Sequence, residues 1–173
     1  YSIPANNQSL SNDIKKEHKN NFDRLKNISN KNRHGHPWEH SNKPIQKSNL
    51  DDSYQMLKSA WEIGGLSFRD TFSNINYDNF ANSVVSKFIK EKIEKIINDP
   101  STLENLTDFD HPFGAKRPAL DTNYFLTFNK NNVKLINLKQ TPVDEINSSG
   151  LKIGGETINL DLIVFATGFD AIT

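Results

Sequence analysis

The chain contains no cysteine, which removes disulfide staples, thiolate nucleophiles and zinc–thiolate sites together and fits a reducing compartment. It carries no net charge either, since 21 Lys+Arg stand against 21 Asp+Glu, and the isoelectric point lies near 7.2. No global field therefore draws it to nucleic acid or to an anionic membrane. No apolar run approaches the ~20 residues of a membrane span, and no basic start with an apolar stretch marks a secretory signal. With a mean hydropathy of -0.67 and 10% aromatic residues, the composition is polar but foldable, and a soluble, cytoplasmic protein is expected. Methionine is nearly absent: Met56 is the single one, well inside a chain of 173 residues that opens on Tyr1. The chain reads as a piece of a longer protein, sized for one domain with part of another.

Phosphate-cradling loops are missing as well. The eight glycines are Gly35, Gly64, Gly65, Gly114, Gly150, Gly154, Gly155 and Gly168, and no two are separated by a single residue. Neither G-x-G-x-x-G nor a P-loop can be written, so this chain lacks the usual backbone grip on a pyrophosphate.

What is present divides into a helical half and a strand half. Residues 9–30 place Ile14, Phe22, Leu25 and Ile28 near helical spacing, predicting one thin amphipathic helix. Residues 31–47, with Gly35, Pro37 and Pro44, predict a loop. Ser48 with Asp51 reads as a capping box for a second helix carrying Met56, Leu57, Ala60 and Trp61, ended by Gly64 and Gly65. Asp78 caps the strongest pattern, Ala81, Val84, Val85, Phe88, Ile89, Ile93, Ile96 and Ile97, which Pro100 is expected to stop. A short acidic helix follows around residues 103–106. From residue 133 the period falls to two or becomes continuous: 133–138, 143–147, 151–153, 157–160 and 162–166. Tight turns at Ser149-Gly150 and Gly154-Gly155 then favour a small antiparallel meander leading into one buried strand.

Three places could carry chemistry. His34, His36 and His40 with Glu39 are residue types that bind divalent metals, but their loop has no helix to fix the imidazoles. It reads as a polar surface loop, and no metal is expected. Lys116-Arg117, within His111-Pro-Phe-Gly-Ala-Lys-Arg-Pro118, combines a compact charge suited to a phosphate with a planar, always-charged fork suited to an oxyanion. A solvated surface pair is the plainer alternative. The run from Asp161 to Asp170 ends an apolar strand in small residues, the geometry by which open α/β sheets approach a cofactor, or else any buried strand before a turn.

Taken together, "HPFGAKRPALDTNYF", "TFNKNNVKLINLKQTPVDEI" and "LDLIVFATGFDAIT" closely resemble the type I Baeyer-Villiger monooxygenases of the cyclohexanone monooxygenase kind, and more loosely the flavin-containing monooxygenases. The likeness extends to "WEIGGLSFRDTF", "ANSVVSKFIKEKIEKIINDP" and "YSIPANN", and is weakest over residues 9–50. It implies an α/β fold: a helical insertion followed by part of a Rossmann-like NADPH-binding domain, with a small antiparallel meander and a buried parallel strand, inside a flavoprotein of two dinucleotide-binding domains. Residues 1–8 would end the first part of the NADPH domain, 9–117 form the insertion, 118–168 the second part, and 169–173 begin the linker back to the FAD domain.

The implied parent uses FAD and NADPH to insert one oxygen atom of O₂ into a small-molecule ketone through a flavin-bound peroxide, giving an ester or lactone. By the same resemblance Lys116 matches the lysine that contacts the NADP 2′-phosphate, and Arg117 the active-site arginine beside nicotinamide and flavin. Ala166, Thr167, Gly168 and Asp170 match the motif at the junction of the nucleotide domains, and residues 66–72 a loop near the substrate. The rivals are a flavin monooxygenase acting on nitrogen or sulfur, which "FATGFDA" with the Lys-Arg-Pro loop disfavours, and a noncatalytic helical interaction domain.

Overall fold

The computed structural model describes residues 1–32 and 34–168. The chain is α/β, with small sheets and helices in two compact units, Tyr1–Val133 and Lys134–Thr173.

In the first unit the stretch expected as one helix is two, α1 (Asn12–Asn20) and α2 (Phe22–Lys31). Ser11 caps α1, its hydroxyl accepting from the Ile14 amide at 3.2 Å. Asn21 causes the break: its backbone N–H and its side-chain amide both donate to the Glu17 carbonyl. Neither helix buries a residue. The next helix, α3 (Leu50–Ile63), opens on a tight turn at Lys47–Asn49. The capping box belongs to that turn and is Gln46 with Asn49, in place of the expected Ser48 and Asp51. The amide oxygen of Asn49 takes the Gln46 N–H at 2.8 Å and also the Ser53 hydroxyl, while its N–H₂ reaches the Pro44 carbonyl. Gly64 ends α3 at φ 71°, and a Cβ there would lie 2.6 Å from the Pro4 carbonyl oxygen. Only glycine allows that approach.

Helix α4 (Asn79–Glu94) follows the sequence pattern closely: the Asp78 carboxylate accepts from the Ala81 amide at 2.8 Å. Ala81, Val84, Val85, Phe88, Ile89 and Ile93 form its buried stripe. It ends before Pro100, which instead occupies the first position of α5 (Pro100–Thr107), where a missing N–H breaks no helical bond. Asp99 caps α5 by accepting from the Thr102 amide at 2.7 Å.

Strands β1 (Ser2–Pro4) and β2 (Ala119–Asp121) pair in parallel, Ile3 opposite Leu120. The helices between them thus leave and rejoin one small sheet, after which α6 (Tyr124–Thr127) follows. The core gathers Ile3, Leu57, Phe68, Ile75, Val85, Phe88, Ile89 and Phe113, none more than 2% exposed. Each such side chain contributes roughly 1.5–3 kcal/mol by leaving water.

The second unit holds an antiparallel meander of β3 (Val143–Asn147), β4 (Gly150–Ile153) and β5 (Glu156–Asn159). The first turn sits one residue earlier than expected. Asn147 Oδ1 accepts from the amides of Ser149 and Gly150, so Gly150 begins β4 opposite Asn159. Two expected strands do not form. Residues 133–137 form no regular element, and a turn follows at 138–140, where the Gln140 and Thr141 amides both close on the Asn137 carbonyl. Residues 162–166 form no strand and pair with none among the described residues, and Leu162, Val164 and Phe165 are 77%, 76% and 69% exposed. The buried parallel strand expected there is therefore an exposed, unpaired segment, because an apolar run becomes a strand only where a neighbour takes its backbone bonds. No helix among the described residues is long and apolar enough to cross a membrane.

Candidate active site

The Lys116-Arg117 loop is held from its root. Phe113 is buried to 1% exposure, edge-on to Phe68 with ring centroids 5.9 Å apart and to Tyr1 at 5.5 Å. Its backbone is held at both polar groups by Asn82 of α4: the Phe113 N–H donates to Asn82 Oδ1 at 3.1 Å, and Asn82 Nδ2 donates to the Phe113 carbonyl at 2.8 Å. Gly114 follows at φ 88°, and a Cβ there would lie 2.6 Å from Asn76 Oδ1. The chain then closes with the Ala115 amide on the Pro112 carbonyl and buries Pro118. Between these anchors Lys116 and Arg117 are exposed.

Phe68 also fixes the second wall. It is fully buried within the tight turn Leu66–Asp70, which sets Arg69 and Asp70 on its far side. The Asp70 carboxylate bridges two residues of the histidine loop, accepting from Trp38 Nε1 at 2.7 Å and meeting His40 Nδ1 at 2.9 Å. The Ser41 amide donates to the Asp70 carbonyl, and Asn74 exchanges two hydrogen bonds with the backbone of Ile45. The loop that looked like unsupported polar surface is thus tied down at four points. His36 stacks on Trp38 with centroids 4.2 Å apart. His34 stands 6.0 Å from His36 and 6.4 Å from His40, ring to ring, and no three acidic or histidine side chains converge on a metal position among the described residues.

These three stretches enclose a depression of about 340 Å³ lined by His34, His36, Leu66, Arg69 and Arg117. Arg117 lines it and Lys116 does not. Neither guanidinium pairs with a carboxylate among the described residues, and the buried Arg69 Nε has no hydrogen-bond acceptor there. The arrangement offers donors and positive charge beside one apolar wall. Nothing in the sequence spacing linked His34 and His36 to Arg69 or Arg117; the link runs through Asp70 and Trp38, side chains unremarkable on their own.

The remaining candidates lie in the second unit. Ala166, Thr167 and Gly168 are exposed, with Gly168 at φ 88°, and Asp170 falls outside the described residues.

No family model matches the chain. It is 34% identical over 176 residues to cyclohexanone 1,2-monooxygenase of Acinetobacter sp, an alignment taking in 99% of this chain and 32% of that protein. It is equally 34% identical, over 175 residues, to phenazine N-monooxygenase of Lysobacter antibioticus, again covering 99% of this chain and 32% of the other. Among solved structures it matches OTEMO in complex with FAD and NADP with a TM-score of 0.93 at 25% identity, over 98% of this chain and 32% of that one. The chain spans about a third of the length of these proteins.

Proposed function

We propose that the chain forms part of an FAD- and NADPH-dependent monooxygenase converting a small-molecule ketone to an ester or lactone, because it is related in sequence to about a third of cyclohexanone 1,2-monooxygenase and in fold to about a third of OTEMO. The observation that carries this reading is the coincidence of a relationship running through 99% of the chain with an arginine, Arg117, that lines a depression and pairs with no carboxylate among the described residues. A free-standing helical interaction module would not share the strand half.

In this reading β1 and β2 belong to the NADPH domain and the helices between them are its insertion, with residues 1–8, 9–117, 118–168 and 169–173 as the four segments. The residues fit anionic cofactors on chemical grounds. Lys116, exposed and outside the depression, suits the 2′-phosphate that distinguishes NADPH from NADH. Arg117, inside it, suits nicotinamide and the oxygen atoms of the reacting centre. The chain has no glycine-rich cradle, so side-chain cations would make these contacts. Ala166, Thr167, Gly168 and Asp170 would line the junction between nucleotide domains, small residues allowing close backbone approach.

FAD would supply oxygen activation and NADPH the hydride. The chain's own task is to hold Arg117 where negative charge develops on oxygen. Asn82 and Phe113 fix the base of its loop in advance, so little reorganisation is needed as that charge appears; one such contact is typically worth about 10² to 10³ in rate. The test is oxygen-dependent formation of ester from a cyclic ketone with NADPH consumption by the full-length protein. A second reading, oxidation at nitrogen, is favoured by the 34% identity to a phenazine N-monooxygenase, and offering an aromatic N-heterocycle beside the ketone separates the two. A cytoplasmic location belongs to the same proposal, resting on the absence of cysteine.

A further inference from the structure

We propose that the depression between Arg69 and Arg117 is a binding subsite for an oxoanion, a phosphate or a carboxylate. Two guanidinium groups and two imidazoles line it, and among the described residues no acidic side chain does. The nearest acid by sequence, Asp70, has both carboxylate oxygens engaged, one by Trp38 Nε1 and one by His40 Nδ1. It forms no ion pair with Arg69.

The buried Nε of Arg69 is the buried side-chain polar atom left without a partner among the described residues. Buried donors are almost always satisfied, so an unsatisfied one calls for an acceptor that the described residues do not supply. Arginine Nε with a terminal N–H₂ forms the fork that grips two oxygens of one anion. Arg117 brings a second fork to the same cavity. His36, held flat on Trp38 at 4.2 Å, keeps one imidazole fixed at its edge, and Leu66 gives one apolar side on which the anion's carbon skeleton could lie. Charge, donor geometry and exclusion of acids converge here, whereas Lys116 stands outside.

The anion has two possible sources: a phosphate of the coenzyme, or a carboxylate or phosphate borne by the substrate. The inference rests on the proposed reaction only for that choice, because binding of a simple anion requires no turnover. The test is titration of inorganic phosphate into the full-length protein, following the arginine Nε–H resonances and the thermal midpoint. Wild type is expected to respond saturably. Arg69→Gln is expected to weaken phosphate binding about tenfold, and Arg69→Lys, which keeps the charge without the Nε donor, about threefold or more.

Steady-state measurements then assign the source. A KM raised for NADPH with every ketone indicates the coenzyme. A KM raised for a keto acid but not for its methyl ester indicates the substrate. Either supports the subsite. Equal phosphate affinity in wild type and both variants would overturn it, and should Arg69→Gln not fold, equality of wild type and Arg69→Lys would do the same. Absence of ketone oxidation would refute the proposed function while leaving the phosphate titration readable.

Discussion

Asn82 of α4 holds Phe113 by both its backbone polar groups, accepting from the N–H at 3.1 Å and donating to the carbonyl at 2.8 Å, while its Nδ2 also reaches the Ile75 carbonyl at 3.0 Å. One amide thereby joins the best-formed helix to the segment that carries Lys116 and Arg117. Helix packing and site geometry share a residue.

Asn82→Ala should accordingly do two things at once. Leaving the Phe113 N–H and carbonyl without partners in a half-buried setting should cost about 1–3 kcal/mol, read by denaturant unfolding. Loosening the 113–118 loop should also raise the KM for NADPH in the full-length protein. Lost stability with coenzyme kinetics unchanged would mean that the loop is held by Phe113 packing alone.

Tyr54 supplies a pH dependence between helices. Burial, followed by the charge of Glu91 and a hydrogen bond to it, raises the phenol above its ordinary value of 10.0. The folded state then holds this proton more tightly than the unfolded state, so the stabilisation is fully present below pH 10 and is lost as pH rises through the higher folded value. Unfolding midpoints measured from pH 9 to 12 should fall more steeply for wild type than for Tyr54→Phe. Parallel curves would remove Tyr54 from the linkage.

Lys116 is expected to face the 2′-phosphate. Lys116→Ala should raise the KM for NADPH roughly tenfold to a hundredfold, the range of a charge-assisted contact, and leave that for NADH nearly unchanged. Equal losses with both coenzymes would contradict the assignment.

Much of the fold was legible because it is written in local chemistry. The Asp78 cap, the α4 stripe from Ala81 to Ile93 and the glycine stop at Gly64 each depend on residues within a turn or two, and the 143–147 strand is set off by the turn residues that follow it. What failed depended on something further away. The break at Asn21 is a choice between two helical continuations that apolar spacing does not register. The box of Gln46 with Asn49 outcompetes Ser48 because Asn49 also reaches Pro44 and Ser53. Residues 162–166 have a strand's composition but no partner strand among the described residues.

The site was half legible. Lys116 and Arg117 stand out by type and by resemblance, and the structure separates them, placing Arg117 in a cavity and Lys116 outside. Arg69, and the approach of His34 and His36, were invisible because they depend on Asp70 drawing Trp38 and His40 across thirty residues of intervening chain.

The most direct measurement is ester formed per NADPH consumed by Arg117→Ala in the full-length protein, with flavin occupancy followed by absorbance. The expected result is a loss of about 10² to 10³ in ester formation with FAD still bound, and poor rescue by Arg117→Lys, which restores charge without the planar fork. Ester formation at the wild-type rate in Arg117→Ala would contradict the account and return Arg117 to the solvated surface.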